Sequence, residues 1–151
     1  MAAPLLEAST HIKATPEQVW KVVSDLKRMG EWSPQCRKVV VRGGGPVTLG
    51  TKTVNVNKRG LLVWPTTAKV VRFEPNKEIA YKINENNSVW SFTITPTEDG
   101  VELTERREAP NGTTKVSSTL INLAFGGEKS FDAELTDGMQ QTLGKIKASV
   151  R

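Results

Sequence analysis

The sequence predicts an α+β fold in which a strongly curved antiparallel sheet of seven strands wraps its apolar face around a long C-terminal helix. Three observations predict it. Between Leu6 and Arg107 apolar residues repeatedly alternate with polar ones, in short runs punctuated by Gly, Pro, Asn and Asp. The loops after most of these runs are too short for parallel crossovers, so neighbouring strands must be antiparallel, with one dry face and one wet face. After Thr114 the apolar period lengthens to three and four residues, which marks a helix able to cover the dry face.

Leu6, Ala8, Thr10 and Ile12 alternate against Glu7, Ser9, His11 and Lys13 as the first strand. Thr15 and Pro16 then open a helix: a hydroxyl N-cap, a proline at the first helical position and Gln18 as the capping-box partner coincide. Val19, Trp20, Val22, Val23 and Leu26 share its stripe, Gly30 to Pro34 ends the helical region, and two short helices bent near Ser24-Asp25 fit the same pattern. Val39–Val41 runs to the breaker Gly43-Gly44-Gly45-Pro46, Thr51 to Lys58 runs to Gly60, and Leu61 to Phe73 runs to Pro75-Asn76. Ile79 to Ile83 and Trp90 to Ile94 form a hairpin across Asn86-Asn87, and Val101 to Arg107 follows the turn Glu98-Asp99-Gly100. An apolar cluster from Leu120 to Phe125 meets Gly126-Gly127, after which Phe131, Leu135, Met139, Leu143, Ile146 and Val150 stripe the terminal helix. No repeat, low-complexity tract or linker interrupts the chain, so residues 1–151 are expected to form one domain.

Composition removes several classes of function. With 37% hydrophobic and 25% charged residues the chain has enough apolar surface to fold, which excludes disorder. No stretch approaches the roughly 18 apolar residues of a membrane span, and Met1 to Ser9 lacks the basic and apolar regions of a signal peptide, so a cytoplasmic location is expected. A lone Cys36 cannot close an intramolecular disulfide, and with the lone His11 it cannot complete a structural zinc site; no metal or other cofactor is expected. The net charge of +5 is uneven, with 14 Lys/Arg against 6 Asp/Glu in residues 1–82 and 7 against 10 in the remainder. The basic stretch Arg37, Lys38, Arg42, Lys52, Lys58, Arg59 lacks the interleaved aromatics of a single-strand platform, which argues against nucleic acid.

The order of elements and several local strings resemble one superfamily. The strings are Ala14-Thr15-Pro16-Glu17-Gln18-Val19-Trp20, Asp25, Glu31-Trp32-Ser33-Pro34, and Gly138-Met139-Gln140-Gln141-Thr142-Leu143 with Lys145-Ile146-Lys147-Ala148. Across essentially the whole chain they resemble the START-like (SRPBCC) superfamily, in its polyketide cyclase/dehydrase and lipid transport branch. The resemblance implies a helix-grip fold with two short helices after strand one and a largely apolar cavity between sheet and terminal helix. Members bind sterols, phospholipids, polyketide intermediates or plant hormones, and a minority catalyse cyclisation or dehydration. The matched positions are caps, turns and stripes, so they mark the fold more strongly than the activity.

Strand parity places Val54, Val56, Val70, Ile79, Tyr81, Ile83, Trp90, Phe92, Ile94, Val101 and Leu103 on the inner face. Periodicity leaves open whether they pack solid or wall a pocket; the resemblance favours the pocket. On that basis the expected ligand-binding residues are Trp64, Val70, Tyr81, Ile83, Trp90, Phe92, Ile94 and Leu103 from the sheet, Phe131, Leu135 and Met139 from the helix, and Phe125 at the mouth. Glu105 and Arg107 share inward parity and complete the set. Two apart on a strand, at about 6 to 7 Å between Cα atoms, they would pair with each other, anchor a ligand oxygen, or mark a strand end that reaches solvent before Pro110. Tyr81, the single tyrosine, needs a partner for its hydroxyl from ligand, protein or water.

His11 lies on the polar parity of its strand, too far outward for a general base. Cys36 stands beside Arg37, which would lower its pKa, but a small residue at a strand start is the default reading. Glu31 to Pro34 is better explained as a helix stop whose Trp packs. No catalytic residue is assigned. Leu120 to Gly127 would form a hinged lid or, alternatively, the kinked first turns of the helix. The mixed basic and apolar run Lys58 to Trp64 has the character of a peripheral contact with anionic membrane. The expected function is binding or carriage of a small hydrophobic ligand, lipid or polyketide-like, with a polyketide aromatase/cyclase or dehydratase using the same cavity as the alternative. A protein-interaction module with a filled core is a third class.

Overall fold

The computed structural model describes residues 4–109 and 128–150. β1 (Leu5–Ile12) leads into α1 (Pro16–Val23), a 3₁₀ turn at Leu26–Arg28 and α2 (Met29–Trp32). β2 (Cys36–Val41), β3 (Lys52–Arg59), β4 (Leu62–Glu74), β5 (Glu78–Ile83), β6 (Val89–Thr97), β7 (Gly100–Glu108) and α3 (Glu128–Ser149) follow. The sheet is seven-stranded and antiparallel in the order β1-β7-β6-β5-β4-β3-β2, so β1 closes the sheet beside the last strand. This is the helix-grip arrangement that the strand parity and the terminal stripe predict. The lid expected at Leu120 to Gly127, with Phe125, lies outside the described residues.

The local signals act as their chemistry requires. Gln18 N–H donates to the Thr15 hydroxyl at 3.2 Å and Thr15 N–H donates to Gln18 Oε1 at 2.8 Å, which completes the capping box of α1. Val19, Val22 and Val23 turn inward, and Trp20 meets Phe73 edge-on with ring centroids 5.2 Å apart. Trp32 is buried in the core, which bears out the structural reading of Glu31 to Pro34. Register shifts between Val70 and Arg72 against β5, a bulge that sends Val71 outward and brings Phe73 toward the core. Such a bulge bends its strand, and here it sets Phe73 against Trp20 of α1.

α3 packs most closely on β1 and also against α2, α1 and β7. Its Met139, Leu143 and Ile146 are fully enclosed with Ile12, Val101, Leu103, Ile94, Phe92 and Ile79. Each such side chain contributes roughly 1.5 to 3 kcal/mol by leaving water. At Gly138 an added Cβ would stand 3.2 Å from Pro34 Cγ, so the absent side chain lets the helix close onto the end of α2.

One parity assignment is corrected. Val54 and Val56 face away from the helix, half-buried, while Thr53 and Asn55 are the buried residues of β3. Register decides this: Thr53 pairs with Val41 and Ala68, and Ala68 pairs with Ile83, so the row that continues the inner face runs through the threonine. A strand with valines on one parity and short polar residues on the other reads as inward valine, and a slip of one residue reverses every side chain.

Candidate functional site

α3 lies nearest β1, and α2 with the 3₁₀ turn covers β2, so among the described residues the middle strands are left without a close cover at one end. A hollow of about 510 Å³ occupies that place. Leu26 and Met29 line it from the short helices, Pro34 from the connection after α2, Phe131, Leu135 and Met139 from α3, and Trp64, Tyr81, Ile83 and Trp90 from the sheet. Its volume falls in the range of small-molecule sites.

One wall is polar. Thr53 donates its hydroxyl proton to Asn55 Oδ1 at 3.0 Å. Asn55 and Asn57 each donate from Nδ2 to the Thr66 hydroxyl, at 3.2 and 3.0 Å, and Asn57 also reaches the Trp64 carbonyl at 3.3 Å. Parity reasoning missed these four residues and Ser88, all of which line the hollow. The signal was present in Thr53-Val54-Asn55-Val56-Asn57, because asparagine is depleted in strands unless something specific engages it.

The opposite wall carries the ionisable groups. Tyr81, Trp90 and Arg107 align across β5, β6 and β7, and Glu105 sits in the next row behind Phe92. Glu105 and Arg107 are 4% and 3% exposed, so both point inward as expected. They do not form the expected pair: the Arg107 guanidinium donates from Nη2 to Asp132 Oδ1 of α3 at 3.2 Å. Glu105 Oε1 has no hydrogen-bond partner among the described residues. Burial drives the Glu105 pKa up to about 8, so its carboxyl is mostly protonated at neutral pH. Burial first, then the Glu105 and Cys36 charges, push the Tyr81 phenol well above its ordinary value. Both groups therefore offer O–H donors at neutral pH.

Of the other residues singled out in the sequence, Val70, Phe92, Ile94 and Leu103 lie in the packed core and not on the wall of the hollow. Each stands away from the hollow along its strand, inside the packed core. Phe125 lies outside the described residues. Cys36 begins β2 and lines the hollow, but burial raises its thiol to about 11, opposite to the expected effect of Arg37. His11 is on the outer surface and contacts Asp99 at 2.9 Å. Among the described residues no group of three or more His, Cys, Asp and Glu side chains could hold a metal ion, and no helix is long and apolar enough to cross a membrane.

A curved sheet gripping one long helix, with a hollow where the two diverge, defines a helix-grip protein. The chain belongs to the family of polyketide cyclase/dehydrase and lipid transport proteins, which residues 4–151 match. A solution structure of a Polyketide_cyc-like protein, Cgl2372 from Corynebacterium glutamicum, is similar at 29% identity and a TM-score of 0.61, over 95% of this chain and 88% of that one. The aromatase/cyclase ZhuI from Streptomyces sp. R1128 superposes with a TM-score of 0.73 at 13% identity, over 96% and 92% of the two chains. StfQ, a di-domain aromatase/cyclase of steffimycin biosynthesis, gives 0.75 at 18% identity, over 96% of this chain and 49% of its own. At these last two identities the likeness is one of fold. No curated protein matches the chain.

Proposed function

We propose that the hollow binds a small, mostly hydrocarbon ligand that carries at least one oxygen, for carriage or sequestration. The observation that carries this reading is the buried Glu105 oxygen without a hydrogen-bond partner beside a hollow of about 510 Å³. A buried polar atom left unsatisfied costs about 1 to 3 kcal/mol, and a ligand oxygen would remove that cost. Tyr81 and protonated Glu105 are the donors, the Asn55–Asn57–Thr66 ladder offers a second polar wall, and Trp64, Trp90, Phe131 and Leu135 take up the hydrocarbon. Arg107 is already engaged by Asp132 and acts less directly than a free guanidinium would. Apolar burial would supply roughly 25 cal/mol per Å² before ordering costs.

Native mass spectrometry after gentle purification, with uptake of an environment-sensitive apolar dye, tests the reading. The expected results are a co-purified small molecule or saturable dye uptake, reduced about tenfold in Leu135→Trp, which fills the hollow from the half-buried face of α3. Dye indifferent to that substitution would overturn it.

A second reading is favoured by the Glu105 pKa near 8 and by the names of the aromatase/cyclase neighbours. In it the hollow folds a poly-β-keto chain, Tyr81 polarises a carbonyl, and Glu105 exchanges a proton near neutral pH. Glu105→Gln separates the two: a binding protein keeps its dye affinity within severalfold, whereas a cyclase keeps binding and loses turnover of a poly-β-keto thioester by about a hundredfold or more.

A further inference from the structure

The β3–β4 hairpin projects beyond the sheet. Its ladder continues to Arg59 opposite Leu62, closed by the two-residue turn Gly60-Leu61 with Gly60 at φ 60°. β2 stops pairing with β3 at Asn57, and β5 pairs with β4 only from Ala68 onward. Among the described residues, 58–63 therefore have no strand neighbours except each other. At the tip of this ribbon Leu61 is 101% exposed, Val63 57% and Leu62 38%. Single apolar residues at a surface are ordinary, but three in succession on a protruding turn are not. A turn of this type takes Asn, Asp or Gly without difficulty, so nothing in its backbone geometry calls for leucine.

The base of the ribbon is cationic. Lys58, Arg59, Arg37 and Lys38 are exposed around it, Lys58 N–H donating to the Gln35 carbonyl at 2.8 Å so that the β2 cations lie alongside. Glu134 and Asp137 of α3 stand against this charge on the same side, Glu134 bonded to Arg59 at 2.8 Å. The balance of these six groups stays positive.

We propose that the β3–β4 tip docks the protein onto an anionic membrane surface, Leu61, Leu62 and Val63 entering the headgroup boundary and the basic collar meeting the lipid charge. A few apolar side chains or a few cations bind weakly alone, and the two together give reversible attachment. Lys58, Arg59, Gly60 and Trp64 also line the hollow, so docking would bring its rim against the bilayer. That last consequence rests on the ligand-binding reading; the docking does not.

Flotation of the full chain with phosphatidylcholine vesicles, and with vesicles containing phosphatidylglycerol, tests the proposal. Anionic vesicles are expected to carry roughly tenfold more protein than neutral ones, with the excess falling as salt rises. Leu61→Asp is expected to reduce that binding about tenfold while thermal midpoint and dye uptake stay unchanged, and Lys58→Glu to reduce it severalfold. Leu49→Asp is the control, because Leu49 is 62% exposed in the loop at the other end of β3. Equal recovery on both vesicles, or equal losses from Leu61→Asp and Leu49→Asp, would overturn the proposal. So would a dimer in sedimentation that Leu61→Asp dissociates while vesicles stay bare, since the tip would then serve a second copy. Lost flotation with retained dye uptake removes the docking alone, and the converse removes the ligand reading alone.

Discussion

The two ends of the gripped helix share one apolar stripe and meet opposite fates. Toward its C-terminus Leu143 and Ile146 are sealed into the core that holds Ile12, Val101 and Leu103. Toward its N-terminus Phe131 and Leu135 remain half-buried over a hollow whose far wall is threonine and asparagine. The difference lies in the partner strands: branched aliphatics fill the space at one end, while at the other short polar side chains bond to one another and leave it unfilled. The threonine and asparagine wall is already satisfied sideways along the sheet, so collapse onto that wall would gain little.

The sharpest way to break that contrast is truncation at both ends. Leu143→Ala should destabilise the fold by about 2 to 5 kcal/mol in urea denaturation, whereas Leu135→Ala, already beside empty space, should cost about 1 kcal/mol or less. Equal costs would mean that the hollow end is packed as tightly as the other.

Glu105 sharpens it through pH. Its folded pKa near 8 lies above the roughly 4.3 of an unfolded glutamate, so between those values the native chain holds a proton that the unfolded chain has released. Its contribution is complete below about pH 4 and is lost as pH rises toward 8, a change of up to a few kcal/mol. Glu105→Gln should remove that slope, so the variant gains on the natural chain from about pH 5 to about pH 9 in thermal melts. Parallel pH profiles for the two proteins would place Glu105 in contact with water.

The smallest effect separates the two faces of the sheet. Val101→Thr puts a hydroxyl in the sealed end and should cost about 1 to 3 kcal/mol, while Val54→Thr on the outer face should stay within about 0.5 kcal/mol. A large cost at Val54 would restore the inward parity that its alternation suggests.

These contrasts also mark what a sequence can tell. The capping box at Thr15, the strand breaks at Gly and Pro, the helix stop at Trp32 and the terminal stripe are encoded within a few residues of where they act, and each was readable directly. Tyr81, Trp90, Glu105 and Arg107 were placed on the inner face because β5, β6 and β7 alternate cleanly. Thr53, Asn55 and Thr66 were not found, because their inward direction is set by pairing with strands far away in sequence.

The chain alone determined the order of its elements, the antiparallel sheet and the helix that the sheet must grip, since capping, turn chemistry and apolar period are local properties. Only the tertiary structure decided which parity of β3 faces inward, that Arg107 takes Asp132 rather than Glu105 as partner, and that a hollow is left over the middle strands. Those outcomes depend on register and on where α3 comes to rest, which are set by contacts between residues distant along the chain.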